Sequence, residues 1–296
     1  PPDGAVRRLG VPALLGISGL FRSRRRVWRT PLVDPVQAAA PLPQRMVVLG
    51  ASNVFRGVST IVETSQGLLG TPLDLVAATG HGRSYGLAST VLCRTLPPIL
   101  NCGLWAALES RPAVSTTAVI TDIGNDILYE ASAAQITDWI DESLRRLRRF
   151  TERIVMTELP LSSVESLGPN RFRLMRTLLF PRSRLTLSAV RDTAFQLNRN
   201  LLQLGQQYGA TVVQPKSEWY GIDPIHIKQK FWRQAWPAIL RSLPAEERDV
   251  SCPEGSLWRW LRLRCARPAE QQRFGIVQRR SQPAVILKNG TAVSFY

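Results

Sequence analysis

One serine, one Asp-Xaa-Xaa-His pair and one asparagine in this chain are of types, and in an order, that can carry nucleophilic acyl transfer. Ser52 closes Gly50-Ala51-Ser52, Asn125 stands in Gly124-Asn125-Asp126, and Asp223 shares the stretch Asp223-Pro224-Ile225-His226 with His226. A serine hydroxyl attacks a carbonyl carbon only when a base takes its proton, and the base needs a third group to orient it. His226 offers the base and Asp223 the orienting carboxylate, with Pro224 limiting the backbone between them. The chain has only 2 histidines, and His81, between Gly80 and Gly82, is the rival base. Acyl transfer also needs donors aimed at the oxygen that becomes negative, each worth about 10²–10³ in rate. The backbone N–H groups of Ser52 and Gly80 and the side-chain amide of Asn125 are the candidates for this oxyanion hole, and Gly80 has no side chain to block the approach. Each position has a plainer reading. Ser52 could be a helix N-cap, Asn125 a turn residue, and Asp223-Pro224 a turn opener.

The elements that must position these residues can be read from hydrophobic periodicity. Residues 46–49 form an apolar strand ending at Gly50, and 53–69 carry Val54, Val58, Ile61, Val62 and Leu68 at helical spacing, so Ser52 sits on a strand-to-helix turn. A second strand over 73–78 runs into the glycine-rich loop 79–86. Helical stretches are expected over 87–96 and 99–110, separated by Pro97-Pro98. A third strand over 117–123 ends at Gly124-Asn125-Asp126. An amphipathic helix over 133–150 places Ile136, Ile140, Leu144 and Leu147 on one stripe.

A fourth strand over 153–159 stops at Pro160, and a long connection over 161–185 precedes a helix over 186–208 and a short fifth strand over 210–213. A connection of that length in a compact domain points to a role in shaping the site. The loop 221–226 leads into a last helix over 227–243, interrupted by Pro237. Residues 257–265 fit neither period. Segments 284–287 and 291–295, joined through Lys288-Asn289-Gly290, read as a β-hairpin. Strands alternating with helices predict a parallel sheet covered on both faces, with Ser52, Gly80, Asn125 and the Asp223/His226 pair on one rim.

In this order the four blocks resemble the SGNH hydrolases, also called the GDSL esterase/lipase family. Gly50-Ala51-Ser52-Asn53 stands at the first block, Thr79-Gly80 at the second, Gly124-Asn125-Asp126 at the third and Asp223-Pro224-Ile225-His226 at the last. The resemblance spans residues 47–226. It implies a flavodoxin-like three-layer α/β/α sandwich with a five-stranded parallel sheet, Ser52 as nucleophile, His226 as base, Asp223 as its orienter, and an oxyanion hole from Ser52, Gly80 and Asn125. Three departures stand out: Ala51-Ser52-Asn53 where the family has Asp-Ser-Leu, no spacer between Gly124 and Asn125, and His81 after the second-block glycine. The activity implied is cleavage of an acyl or acetyl ester through an acyl-serine intermediate. The substrate would be a small-molecule, lipid or carbohydrate ester, and no cofactor or metal is called for.

Charge and cysteine usage bound the rest. The formal net charge is +16 over 296 residues. Residues 1–30 hold seven arginines against Asp3, and residues 251–296 hold seven arginines and Lys288 against Glu254 and Glu270. The ends are therefore the basic part, suited to weak association with an anionic surface. A rival function follows from them: a non-catalytic hydrolase-like protein that binds an anionic surface or nucleic acid through its tails. No specific nucleic-acid motif accompanies the charge. Trp258 and Trp260 among the tail arginines would suit a lipid-directed enzyme.

The expected organisation is a basic arm over 1–43, a catalytic domain over 44–250, and a basic extension over 251–296 ending in the hairpin. Cys93, Cys102, Cys252 and Cys265 form no CxxC pair, so buried thiols are expected rather than a zinc site. No apolar run reaches transmembrane length. Residues 11–21 resemble a short signal core after Arg7-Arg8 but lack a small-residue cleavage site, and the chain opens on Pro1, which reads as a missing start.

Overall fold

The computed structural model describes residues 44–179, 184–221, 223–242 and 255–296. The arm expected over 1–43, like Cys252, lies outside them. In chain order the elements are β1 (Gln44–Leu49), α1 (Ser52–Leu69), β2 (Asp74–Ala78), β3 (Ser89–Val91), β4 (Arg94–Leu96), α2 (Leu104–Ser110), β5 (Ser115–Ile120) and α3 (Ala133–Leu147). There follow β6 (Ile154–Thr157), α4 (Leu161–Glu165), α5 (Pro169–Leu179), α6 (Leu187–Tyr208), β7 (Thr211–Val213) and α7 (Trp232–Leu240). The last are α8 (Leu257–Cys265), β8 (Glu270–Arg273), β9 (Ile276–Arg279), β10 (Val285–Ile286) and β11 (Ala292–Phe295).

The main sheet has the order β10-β11-β2-β1-β5-β6-β7 and is parallel throughout except for β10. Its strands read as apolar runs because both faces are covered. Along β1, Met46 and Val48 enter one core with Val54, Val58 and Ile61 of α1, Trp236 of α7 and Leu263 of α8. Val47 and Leu49 enter the other with Leu104 of α2, Ile136 and Ile140 of α3 and Leu197 of α6. The period-two alternation of a strand thus makes the three-layer α/β/α sandwich.

The expected five-stranded parallel sheet is present as β2-β1-β5-β6-β7, and two strands extend it. β11 lies parallel beside β2, pairing Ala292 with Asp74 through Phe295 with Ala77, and β10 closes antiparallel on β11. Thr291, Val293, Ser294 and Phe295 are all buried, so the end of the hairpin covers an edge that β2 would otherwise expose. Arg111 fastens it, donating to Asp74 Oδ1 and, at 2.8 Å, to Ser294 Oγ.

Several local expectations are corrected. Residues 87–96, expected to be helical, form the β3–β4 hairpin, with Leu92 and Cys93 at positive φ in its turn. Thr90, Val91 and Thr95 are β-branched and favour strand; the Thr90 and Thr95 hydroxyls face each other at 2.8 Å. With β8 and β9 this hairpin makes a second, antiparallel sheet, β3-β4-β8-β9. The third strand ends at Ile120 rather than 123, because Asp122 adopts a left-handed backbone (φ 60°). The 161–185 connection holds α4 and α5, and the last main-domain helix begins only at Trp232. Residues 257–265 are helical, with the Ser256 hydroxyl accepting from Arg259 N–H at 3.2 Å. Cys102 is buried as expected, whereas Cys93 and Cys265 are exposed.

Candidate active site

The turn after β1 is assembled by neighbouring strand ends. Gly50 N–H donates to the Ala78 carbonyl at 3.1 Å and Thr121 N–H to the Leu49 carbonyl at 2.9 Å. Beyond them the Asp122 carboxylate accepts from Ala51 N–H at 2.8 Å, Asn53 N–H at 3.0 Å and Val54 N–H at 3.4 Å. It thereby caps the amino end of α1, whose first N–H groups have no partner within the helix. Ser52 is not the cap. The Asp122 carboxylate passes over its N–H, and its hydroxyl lies 2.8 Å from His226 Nε2.

His226 Nδ1 is hydrogen-bonded to Asp223 Oδ2. Asp223 Oδ1 in turn accepts from Ile225 N–H at 2.8 Å and His226 N–H at 3.3 Å, closing the Asp-Pro turn over its own carboxylate. Burial pushes the Asp223 carboxyl up. The hydrogen bond and charge of His226 together with the two backbone donors outweigh burial and hold it below its ordinary value. A carboxylate on Nδ1 fixes the tautomer that leaves Nε2 as the acceptor for the Ser52 proton.

The glycine loop is joined to this turn by Thr79, whose hydroxyl donates to the Ala51 carbonyl at 2.7 Å. At Gly80 a Cβ would lie 2.2 Å from Leu96 Cδ1, so a larger residue there would have to push the Leu96 side chain aside. Arg83 is fully buried and donates through Nη1 to the Thr79 carbonyl at 3.3 Å and through Nε to the Pro97 carbonyl at 3.2 Å. Its Nη1 also meets the Tyr296 carbonyl. The Arg83 carbonyl accepts one of the two Asn125 amide hydrogens at 3.0 Å, leaving the other for the pocket that Asn125 and Ser52 both line. Asp126 Oδ2 accepts from Tyr85 N–H at 3.0 Å, and burial pushes its carboxyl up to about 6.

Ser52, His226, Asp223 and Asn125 therefore converge at the carboxyl ends of β1 and β5, with Gly80 following β2. His81 does not reach Ser52; its ring meets Phe55 edge-on at 4.8 Å. Burial first, then the charges of Arg264, His226, Arg94 and Arg56, lower its pKa to about 4. Ser52 also lines a pocket of about 1030 Å³, counting space open to solvent. Its walls include Ile127, Leu159, Leu167, Phe172, Val190 and Ala194.

Two site residues escaped the sequence reading. The expected strand over 117–123 runs through Asp122, and Asn53 enters the sequence pattern only as the last residue of the first block. The signal available was a carboxylate directly after an apolar run at a strand end, where a charge must find donors. Among the described residues no cluster of three His, Cys, Asp or Glu side chains could hold a metal, and no helix is long and apolar enough to cross a membrane.

The fold and site together define an α/β/α protein with Ser52, His226 and Asp223 in hydrogen-bonded sequence on the carboxyl rim of a parallel sheet. No family model and no curated protein matches the chain. Among solved structures it is similar to a carbohydrate acetylesterase family member from Sinorhizobium meliloti, with 13% identity, TM-score 0.47, and coverage of 67% of this chain and 95% of that one. It is likewise similar to the psychrotrophic esterase EstA from Pseudoalteromonas sp., with 13% identity, TM-score 0.43 and the same shares, 67% and 95%. A third is AlinE4, an SGNH-hydrolase family esterase, with 16% identity, TM-score 0.37, and coverage of 57% and 75%. These are distant likenesses of chain trace, and the residue roles below rest on the site's own geometry.

Proposed function

We propose that this chain is a serine hydrolase of the SGNH type that cleaves carboxylic esters through an acyl-serine intermediate. The observation that carries the reading is the Ser52 Oγ contact with His226 Nε2 at 2.8 Å, while Asp223 holds the far side of the same ring. In the first half-reaction Ser52 Oγ forms a bond to the carbonyl carbon and gives its proton to His226 Nε2. Negative charge then gathers on the former carbonyl oxygen. Ser52 N–H, Gly80 N–H and the second Asn125 amide hydrogen are its donors. Collapse breaks the bond to the alcohol oxygen, which leaves with the proton from His226. Water then repeats the sequence on the acyl-serine, releasing the acid and restoring Ser52.

The apolar pocket suits the acyl portion of the ester. Leu159, Leu167, Phe172 and Val190 offer nothing to hydrogen-bond and favour a hydrocarbon chain over a charged one. A fluorophosphonate should label Ser52 covalently, and Ser52→Ala should abolish both labelling and hydrolysis of a short aryl ester while the thermal unfolding curve stays cooperative. Hydrolysis by Ser52→Ala at the parent rate would remove Ser52 from the chemistry.

A further inference from the structure

Outside the acyl pocket, two arginines from distant elements lie over one phenylalanine, and a third, Arg56, is its neighbour on α1. Phe55 lies one turn after Ser52 on α1. Arg264 of α8 sits over its ring at 4.7 Å and Arg94 of β4 at 5.9 Å, while His81 packs against it edge-on. Arg264 also lies over Trp260 at 5.6 Å, and Arg56 lies over Trp232 at 5.9 Å. Arg94 borders the oxyanion loop itself, since its Nη2 would be 3.8 Å from a Cβ on Gly80. None of Phe55, Arg56, His81, Arg94 or Arg264 lines the acyl pocket.

This cluster is electrostatically incomplete. Among the described residues Arg56, Arg94 and Arg264 form no ion pair. Arg94 Nε is buried without a hydrogen-bond partner. Burial, then Arg83 and Arg273, lower the Arg94 pKa; burial, then Arg56, lower that of Arg264. Gathering like charges in a partly desolvated place opposes folding, and such arrangements concentrate at sites where a ligand of opposite sign relieves them.

The position sets what that ligand can be. His226 gives its proton to the departing alcohol oxygen, so the alcohol portion of the ester lies on the His226 side. Phe55, three positions after Ser52, carries Arg94, Arg264 and the His81 ring, and Arg94 Nη2 borders Gly80, so the cluster stands beside the reacting carbonyl but outside the acyl pocket. Guanidinium groups present paired donors that match phosphate oxygens, and aromatic walls exclude competing water. Resting on the ester-hydrolase reading, we infer that Arg56, Arg94 and Arg264 form a leaving-group subsite for a phosphate carried on the alcohol portion of the substrate.

The test uses the full chain and two readouts. In the first, the butyryl ester of glycerol 3-phosphate is compared with the butyryl ester of glycerol, and a long-chain acyl ester of glycerol 3-phosphate in neutral-detergent micelles is the third arm. The phosphate-bearing soluble ester should be favoured in kcat/KM by tenfold or more, and this preference should shrink as salt rises. Arg94→Gln and Arg264→Gln should cut the preference at least tenfold, mainly through KM. Preference in the soluble arm assigns a free phosphate ester, and preference in the micellar arm alone assigns a lipid headgroup. Preference in neither arm, or an equal fall for charged and neutral esters in the variants, overturns the subsite.

The second readout is calorimetric binding of glycerol 3-phosphate to Ser52→Ala, which needs no turnover. Binding that weakens tenfold on adding Arg94→Gln supports the subsite even if no ester is cleaved, whereas ester cleavage without such binding removes the subsite and leaves the hydrolase reading intact. Should Arg264→Gln unfold, Arg56→Gln carries the same comparison from α1.

Discussion

The side-chain amide of Asn53 donates to Asp122 Oδ1 at 2.7 Å and to the Ile225 carbonyl at 2.9 Å, while its oxygen accepts from Ile227 N–H at 2.8 Å. One residue beside Ser52 thus clamps the Ser52 turn to the strand end of β5 and to the loop that carries His226. The 2.8 Å Ser52 to His226 contact bridges 174 positions of sequence, and this clamp fixes both ends of it.

Asp122→Ala should consequently harm both stability and turnover. Three backbone donors lose their acceptor, and buried unsatisfied groups cost about 1–3 kcal/mol each where water cannot reach them. The charge at the helix start is lost as well, worth about 0.3–1 kcal/mol. Thermal unfolding should shift downward by several degrees, and kcat on a neutral ester should fall more than tenfold. Unfolding and kcat both matching the parent would show that the clamp is dispensable.

The choice between the two histidines can be decided kinetically. His226→Ala should lose about 10⁴–10⁶ in kcat, the scale expected for loss of the base or its orienter. His81→Gln should lose less than tenfold on a neutral ester. Because the His81 pKa is lowered to about 4, its charge changes below pH 5. Any limb of the pH–rate profile between pH 5 and 8 should therefore survive in His81→Gln. Loss of that limb in His81→Gln, with His226→Ala still active, would reverse the assignment.

Much of the site was legible because its signals are local. An apolar run ending in Gly-Xaa-Ser marks the first turn, and Asp223 and His226 share one short loop, so offset alone pairs them. What was not legible depends on partners far along the chain. Asp122 has meaning only once β5 lies beside β1, since its donors belong to the next turn over. The β3–β4 hairpin was read as helix because residues 87–96 are short and partly apolar; it is completed by β8, which arrives from the carboxyl-terminal region. The hairpin at 284–295 was legible as local pairing, but nothing in Ala292–Phe295 names β2 as its second neighbour. Those carboxyl-terminal residues also bring Arg264 to Phe55, so their charge is partly organised at the site rather than spread on a trailing arm.

Asp126 should make stability depend on pH in the direction opposite to that of most carboxylates. Its pKa rises from 3.8 to about 6 through burial, so the folded state favours the protonated form. That contribution is fully present below pH 3.8 and is lost as pH rises through about 6. Asp126→Asn can keep the acceptor for Tyr85 N–H without a charge. Relative to the parent it should gain stability between pH 4 and 6, by up to about 3 kcal/mol, and hold that gain above. Asp223, whose carboxyl is held low, contributes with the other sign in both proteins and cancels from the difference. A difference that is flat across pH 4–7 would mean Asp126 is ionised in the folded state throughout.

The segment 161–185, in which α4 and α5 lie, should govern which acyl groups are accepted. Leu167 and Phe172 contribute pocket walls from it, and Leu159 stands two residues before it. Phe172 is buried, so Phe172→Ala removes a ring from an apolar wall rather than a surface group. The cost in stability should be at the lower end of the roughly 3–5 kcal/mol usual for such truncations, because an open pocket is already hydrated on one side. In return the pocket lengthens. Each methylene buried there is worth about 0.8 kcal/mol, so two or three extra carbons accommodated by the variant translate into roughly tenfold or more in kcat/KM. The comparison runs a series of p-nitrophenyl esters from acetate to decanoate on the parent and on Phe172→Ala, with Ser52→Ala as the blank. The optimum should move to longer chains in the variant while acetate cleavage changes little. A uniform loss across the series would point to disturbed folding, which the unfolding curve would reveal. An unchanged optimum in a well-folded variant would separate α5 from acyl selection and move the acyl group elsewhere on the rim.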